Sequence, residues 1–454
     1  MQLKKSRGLA LAQALTQASA ALLGTVIPFA AAQAEDNGWQ VDTAALFYQE
    51  SDSRVQAIEP EINLRKDLGD ENIFNLKLVV DTLSGASPNG AARAKVPQTF
   101  SGPSGSSSYT TAAGQTPLDT SFRDARGAVS VGWQQPLADN LKLNVGGNIS
   151  TETDFQSIGF SGALAKDINN KNTTLSAGLN LEIDNINPVG GTPVGFSSTA
   201  LPQTGGGEDG GGGSGNGAKN RTAETAVFGL TQVLGRHSLM QLNYSVSVAN
   251  GYQSDPYKLL TVLDSSNNLI PNPDPANPGN AYTYLYEKRP DKRTKQSIFA
   301  EWKYAFSEDV LDLSYRYTTD DWGIHTNTLE GKYRLELGHD MYIEPHVRHY
   351  TQTEASFYTP YLLQGRDVAI NGGTITPLVS DASADPRLGA FDGNTFGLKF
   401  GIGLGPDSEL NFRVEKYDQK MKQPDAPATG DLAGQKMAPD MSAMWVQVGY
   451  SFRW

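Results

Sequence analysis

Histidine and its neighbouring carboxylates are the residues best suited to chemistry in this chain, which has 5 histidines and no cysteine. In the segment EPHVRHY (344–350), Glu344, His346 and Arg348 are spaced by two, so an extended chain presents them on one face. Together with His325, such a set could hold a divalent metal. The interpretation we favour is a histidine held by hydrogen bonds in a polar cavity, with no metal and no cofactor.

An enzyme would need a nucleophile, a positioned histidine, and a carboxylate or amide within reach of one another. No histidine lies in a recognisable nucleophile motif, so we expect no catalytic residues and no enzymatic activity. The lack of cysteine also excludes disulfides, thiolate metal sites and covalently attached haem. A redox centre would therefore have to belong to a partner protein.

Charged residues spaced by two recur along the chain, and strand alternation predicts that they share one inward face. Strands within 122–249 instead present small neutral residues such as Gly146 and Asn148 on that face, so we expect a nearly uncharged wall there. We call the charged set the charged wall. Its members are Glu59, Glu61, Arg65, Lys77, Asp81, Glu301, Lys303, Asp312, Arg316, Glu330, Lys332, Arg334, Glu344, His346, Arg348, Arg413 and Glu415.

Two interpretations of the charged wall stay open. Acids and bases alternate in sign, as in Glu330 and Lys332, and such alternation is what paired ladders between neighbouring strands require. The same wall could line a solute path and orient a polar or zwitterionic solute. The two interpretations are compatible with each other.

The elements that position these residues are strands. The last residues, VQVGYSFRW, place Tyr450, Phe452 and Trp454 on one face and polar residues on the other. Alternating segments of roughly ten residues, the length of a tilted membrane strand, recur along the chain. Between them, short Gly, Asn and Asp spacers alternate with long ones at about 84–121, 186–221, 250–292, 354–392 and 420–440.

Short turns at one end and long loops at the other are typical of an outer-membrane barrel. We therefore predict an all-β fold in residues 35–454, a membrane-spanning, antiparallel up-and-down barrel of about 16 strands with short periplasmic turns and long extracellular loops. The terminal aromatic residues would contact outer-membrane lipid at the periplasmic interface. They also resemble the signal by which the barrel assembly machinery recognises its clients.

The N-terminus reads as a targeting segment. Lys4, Lys5 and Arg7 precede an apolar run that ends in Ala32-Gln33-Ala34, so residues 1–34 are predicted to be a signal peptide cleaved after Ala34. Beyond it, no stretch approaches the roughly 18 apolar residues of a membrane helix. The formal net charge of -12 disfavours nucleic acid as a partner.

The first long loop begins with a run of turn-forming residues: Ser84, Gly85, Ser87, Pro88, Asn89 and Gly90. Turn geometry alone would explain them. The sharper hypothesis is a gating loop that folds inward and constricts the lumen. Two other stretches, 204–220 and 265–280, are so rich in Gly, Pro and Asn that we expect them to be disordered.

Several long motifs resemble a bacterial family catalogued as domain of unknown function 3570 (DUF3570). They are LVVDTLSGASPNGA (78–91), PQTF (97–100), RVQAIEPEINLRKDLG (54–69), YEKRPDKRTKQSIFAEWKY (286–304), YRYTTDDWGIHTNTLE (315–330) and EPHVRHYTQTEASFYTP (344–360). The resemblance implies an outer-membrane β-barrel and no established activity. The genomic neighbours of the family, a thioredoxin-like protein and a flavin transferase, imply a redox- or metal-related export system.

These observations lead us to expect porin-like passage or secretion of a small polar solute through a barrel in the outer membrane. The charged wall would set selectivity and the loop at 84–121 would set access. The alternative is a scaffold that holds a periplasmic or lipoprotein partner, and a weaker alternative is a barrel enzyme. Strand alternation predicts neither the solute nor the oligomeric state.

Overall fold

The computed structural model describes residues 38–52, 54–102, 108–189, 191–199, 217–272, 281–424 and 426–454. The predicted signal peptide and most of the glycine-rich stretch at 204–220 lie outside these residues. Within the described part of the chain, no helix is long and apolar enough to cross a membrane. The strands are β1 (Trp39–Glu50), β2 (Gln56–Asp67), β3 (Ile73–Ser84), β4 (Gln98–Ser101), β5 (Ser108–Thr111), β6 (Arg123–Ala138), β7 (Leu141–Thr151), β8 (Phe155–Ile168), β9 (Thr173–Ile186), β10 (Lys219–Gly235), β11 (Ser238–Gly251), β12 (Leu259–Leu263), β13 (Tyr284–Tyr286), β14 (Lys292–Ala305), β15 (Val310–Asp320), β16 (His325–Gly338), β17 (Met341–Gln352), β18 (Tyr361–Leu363), β19 (Val368–Asn371), β20 (Thr374–Pro377), β21 (Phe391–Gly405), β22 (Ser408–Met421) and β23 (Met441–Arg453).

Sixteen of these strands form one closed antiparallel barrel, β1-β2-β3-β6-β7-β8-β9-β10-β11-β14-β15-β16-β17-β21-β22-β23. The barrel closes where β1 pairs with β23. At its end the backbone N–H of Trp39 donates to the carbonyl of Trp454 at 2.7 Å, and the reverse bond measures 2.8 Å. Closure pairs both edges of every strand in the described barrel, and it confirms the predicted all-β barrel of about 16 strands.

The two faces of the barrel strands differ in polarity. Large apolar side chains lie exposed on the outside, among them Leu179 at 68% and Phe160 at 57%. The residues next to them along each strand, such as Asn180 and Ser161, point into the lumen because side chains alternate. The outer face is therefore an apolar surface and the lumen is polar, which is the inverse of a water-soluble globular protein.

Aromatic rings gather on the outer face at the short-turn end of the barrel. The rings of Trp39 and Phe74 lie 6.3 Å apart, and those of Phe74 and Trp133 lie 6.1 Å apart. At the chain end, Tyr450 and Phe452 stack at 5.4 Å. Such clusters resemble the aromatic girdles of membrane barrels.

The other end of the barrel carries a structure that we call the cap: the described residues of the five long loops, 85–122, 187–218, 252–291, 353–390 and 422–440. Its central sheet has the order β13-β12-β18. Strand β12 pairs in parallel with β18, which belongs to a different loop, through Thr261 and Tyr361. These loops start from well-separated strands of the barrel, so the sheet lies across the barrel mouth.

The cap has an apolar core of its own. Leu260, Val262 and Leu362 are fully buried, and they pack with Phe196 of another loop. Leu269, which lies in the stretch 265–280, is buried against the same sheet. The prediction of disorder is therefore wrong for residues 265–272, because apolar residues from several loops bury one another although no single loop could do so alone.

Candidate functional site

The structure places every member of the charged wall on the inward face of a barrel strand. The residues lie on β14–β17, β21–β22 and β2–β3. Because β23 pairs with β1, these strands form a contiguous part of the barrel. The lumen therefore has one side rich in ionised groups.

Most of these charges are paired with a charge on the same or the neighbouring strand. Lys303 lies 2.8 Å from Asp312 on β15 and 3.3 Å from Glu301 on its own strand. Lys77 lies 2.8 Å from Glu61. The ladder arrangement satisfies ionised groups that would be costly to leave alone in a confined lumen.

His346 sits at the centre of the largest of these networks. Its ring nitrogens lie 3.3 Å from Glu330 and 3.2 Å from Glu415. Glu330 also pairs with Lys332 at 2.6 Å, and Arg413 lies 3.6 Å from Glu415. The histidine therefore lies between two carboxylates, with one ring nitrogen facing each of them.

A glycine makes this arrangement possible. His346 on β17 and Glu415 on β22 are separated by β21, where Gly397 pairs with both in register. A Cβ at Gly397 would lie 2.7 Å from Cγ of Glu415. The missing side chain opens a gap in the wall, and through it the carboxylate reaches across the intervening strand.

His325, considered for a metal site, and the neighbouring His349 lie elsewhere. His325 is on the outer face, where Nδ1 is 2.9 Å from Oγ1 of Thr319. His349 is also on the outer face, with Nδ1 2.8 Å from Asn394. His346 and His325 therefore face opposite sides of the barrel wall. Among the described residues, no group of three or more histidine or carboxylate side chains is arranged so that it could hold a metal ion.

The wall expected to be nearly uncharged carries charges at both of its ends. At the long-loop end, Arg221 lies 2.6 Å from the fully buried Asp184 and 3.6 Å from Glu182. At the short-turn end, Lys142 lies 3.6 Å from Asp167. The expectation is wrong at the rims and holds for the middle of the strands, where residues such as Gly146 and Asn148 lie.

The predicted gating loop is held in the cap. Nζ of Lys258 donates to Oγ of Ser87 at 2.8 Å and to the carbonyl of Pro88 at 2.7 Å. The N–H of Leu259 donates to the carbonyl of Asn89 at 2.7 Å. Gly90 has φ +93°, and a Cβ there would lie 2.7 Å from the carbonyl of Leu259. This position therefore requires glycine.

The start of that loop is fixed to the barrel rim. Ser84 ends β3, and the N–H of Gly85 donates to the carbonyl of Phe122 at 3.0 Å, at the other end of the same loop. The two ends of the loop thus meet above the barrel, and its first residues bind β12. Constriction of the lumen by this loop stays a prediction.

A buried cluster of charges lies beside the central sheet of the cap. Glu287 pairs with Arg289 at 2.6 Å, and Arg289 pairs with Asp385 at 2.8 Å. Burial raises the pKa of Glu287 to about 7, against the opposing charge of Arg289. Burial also lowers the pKa of Lys258. Burial opposes ionisation of Asp385, but the charges of Arg387 and Lys258 outweigh it and lower its pKa.

The sequence patterns did not predict this cluster of charges in the cap. Lys258, Glu287 and Asp385 are far apart in the chain and share no periodic pattern. One available signal was the run LLTVL (259–263), in which four of five residues are apolar although it lies within a long polar spacer. Such a run is typical of a strand buried on both faces.

No curated protein matches the chain. Among solved structures it is similar to a bacterial polysaccharide outer membrane secretin (TM-score 0.41, 8% identity, 92% of this chain and 99% of that one). It is also similar to the outer membrane protein opdK from Pseudomonas aeruginosa (TM-score 0.38, 9% identity, 92% and 99%).

A further similar structure is the ferric enterobactin receptor from Pseudomonas aeruginosa (TM-score 0.43, 10% identity), of which the match covers 61%, together with 92% of this chain. The match to a family is far more extensive. Residues 12–452, nearly the whole chain, fit the model described as "Protein of unknown function (DUF3570)". This confirms the resemblance seen in the sequence motifs, and the chain belongs to the DUF3570 family.

Proposed function

We propose that the protein is an outer-membrane channel that passes a small polar solute, with the cap at its extracellular mouth. The apolar outer face and the aromatic clusters at the short-turn end support insertion in lipid with the short turns in the periplasm. The proposal treats the barrel as a conduit and not as an enzyme. It includes recognition of Tyr450, Phe452 and Trp454 by the barrel assembly machinery.

The observation that carries the proposal is the lumen itself. A barrel of about 16 strands is wide enough to leave an aqueous channel unless other segments fill it. Here one side of the lumen carries ion-paired charges such as Lys303 and Asp312, and the other carries small polar groups. Such walls are suited to hydrated solutes. The cap then controls entry, because its central sheet lies across the mouth.

The test is single-channel conductance in a planar bilayer, comparing the purified protein with a variant that lacks residues 86–118. We expect stable openings for the unaltered protein and a larger conductance after the deletion, because the loop that binds Lys258 and β12 is removed. Heat-modifiable migration on gels verifies that both barrels are folded. Two folded but insulating proteins would contradict the channel and favour the scaffold for a periplasmic or lipoprotein partner.

A further inference from the structure

A cavity of about 420 Å³ lies in the long-loop half of the lumen, against β14–β17. Its volume is within the range of about 300–1,000 Å³ that small-molecule sites occupy. Hydroxyl groups, two aromatic rings and several cations line it. Its lining includes Lys295, Phe299, Arg316, Glu330, Arg348 and Tyr350.

The carboxylates of this cavity are already engaged. Asp320 pairs with Arg293 at 2.5 Å. Glu330 pairs with Lys332 at 2.6 Å and with His346 at 3.3 Å. Each carboxylate therefore has a strong partner, and neither is left to neutralise the remaining cations of the cavity.

Three cations have no such partner within the described ranges of the chain. Among the residues that the structure describes, Lys295, Arg316 and Arg348 have no carboxylate within ion-pair distance. Nε of Arg348 is buried and has no hydrogen-bond acceptor in the same part of the chain. A buried donor without an acceptor is costly. This N–H group is therefore suited to donate a hydrogen bond to an acceptor atom of a ligand.

Aromatic rings hold the two guanidinium groups in place. Cζ of Arg316 lies 4.9 Å from the centre of the Phe299 ring, and Cζ of Arg348 lies 5.7 Å from that of Tyr350. Stacking of this kind orients a guanidinium group without neutralising its charge. The donors are thereby positioned before a ligand arrives, which reduces the entropy lost on binding.

The charge balance of the cavity indicates the ligand class. The side chains that line it include four cations and two carboxylates, so it carries two positive charges in excess. We propose that the cavity binds a small dicarboxylate, one carboxylate facing each guanidinium group and Lys295 adding its charge. The planar fork of arginine matches a carboxylate in two parallel hydrogen bonds. This inference rests on the proposed channel function and names its solute class.

The position of the cavity relates it to the cap. Nε2 of Gln352, which lines the cavity, donates to the carbonyls of Arg387 and Gly389 in the cap, both at 2.9 Å. The ring of Tyr350 packs 5.4 Å from that of Phe391, where the last cap loop before β21 ends. The bound dianion therefore lies directly beneath the cap, at the first binding site inside the mouth of the barrel.

Calorimetric titration of the purified protein in detergent tests the site. The probes are succinate, its neutral analogue succinamide, and inorganic phosphate. We expect binding of succinate, no binding of succinamide, and weaker binding of phosphate. In the double variant Arg316→Gln/Arg348→Gln, we expect the affinity for succinate to fall at least about tenfold. The reason is that hydrogen bonds from a charged guanidinium group to a carboxylate are strongly stabilising, and the variant loses them.

The control is Arg366→Gln, which removes an exposed arginine paired with Asp367 in the cap and outside the cavity. It should bind succinate as the unaltered protein does. Undiminished binding by the folded double variant would overturn the site. Phosphate binding as tight as succinate binding, or no succinate binding by the unaltered protein, would overturn the dicarboxylate.

Conductance and succinate binding, measured on the same preparation, test the proposed channel and the proposed site separately. Conductance without succinate binding would support the proposed channel and contradict the proposed dicarboxylate site. Succinate binding without conductance would support the dicarboxylate site and contradict the channel. In a conducting protein, succinate should also reduce the single-channel current at millimolar concentration, and the double variant should be insensitive to it.

Discussion

His346 on β17 and Glu415 on β22 are not on neighbouring strands, yet Nδ1 of the histidine lies 3.2 Å from the carboxylate. The contact passes over Gly397 of the intervening strand β21. A wall of a barrel is usually a set of pairs between neighbouring strands. Here the absence of a side chain at Gly397 lets one contact connect three strands.

Gly397→Ala should break this link. The added Cβ would lie 2.7 Å from Cγ of Glu415, so the carboxylate must move away from His346. We expect a loss of about 1–3 kcal/mol in the free energy of unfolding, as for other overpacked sites, measured by urea titration of the barrel in lipid vesicles. Gly162→Ala is the control, because a Cβ there meets no atom within 4 Å. Equal stability of the two variants would contradict the role of Gly397.

Leu179→Arg should distinguish a lipid-facing surface from a water-facing one. Leu179 is 68% exposed on the outer face, and arginine at the middle of a bilayer costs about 2–4 kcal/mol. We expect the free energy of unfolding in lipid vesicles to fall by that amount, measured by the same urea titration. Asn180→Arg places the same charge one residue along β9, in the lumen, and should cost far less. The reverse order of the two variants would exclude the membrane-embedded barrel.

Lys258→Met should loosen the predicted gating loop. The buried amine holds Ser87 and Pro88, and methionine keeps the apolar stem but leaves both acceptors without a donor. We expect hydrogen exchange at the amides of Leu259 and Ala92, which tie the loop to β12, to accelerate at least about tenfold.

The matched control for this prediction is Lys95→Met. Lys95 pairs with Asp431 at 2.9 Å between two cap loops, but its side chain is 76% exposed. An exposed pair contributes about 0–1 kcal/mol, so exchange at Leu259 and Ala92 should change little. Similar acceleration in both variants would show that the cap responds to any lost ion pair, and not to Lys258 in particular.

The stability of the cap should fall as the pH rises from about 5 to 8. The pKa of Glu287 is raised to about 7 in the folded cap by burial, against its partner Arg289. The folded cap therefore binds more protons than the open one between the ordinary carboxyl pKa of about 4.3 and about 7. By linkage, stability is full below this range and is lost as the pH rises through it.

Hydrogen exchange at Leu260 and Leu285, corrected for the intrinsic effect of pH, measures this dependence. We expect protection to decrease on the order of tenfold between pH 5 and 8. Glu287→Gln is the control, because it keeps the shape and removes the proton. Its protection should not vary over this range, and an unchanged slope in the variant would assign the effect to another group.

The barrel could be predicted from the sequence because each strand carries its own signal. In the run around Leu179, apolar and small polar residues alternate, and this alternation alone indicates which side faces lipid. The same holds for the chain end at Trp454. Alternation along the strand also places residues such as Glu330 on the inward face without any knowledge of the other strands.

The cap could not be predicted in this way because its order is non-local. Leu269 lies in a polar, proline-rich stretch, and its burial depends on Leu263 and Leu432 from other parts of the chain. The link between His346 and Glu415 was missed for a related reason. It depends on Gly397, and a glycine in a strand has several meanings that only the neighbouring strands decide.

The shared core of the cap determines what another molecule can recognise on this surface. Phe196, Leu285 and Leu362 come from three loops and pack in a single cluster. The outer surface above them is therefore a composite epitope, to which no loop contributes a self-sufficient peptide. An antibody or phage that binds this surface would contact several loops at once. Antibodies raised against synthetic peptides of single loops would therefore bind the native protein poorly.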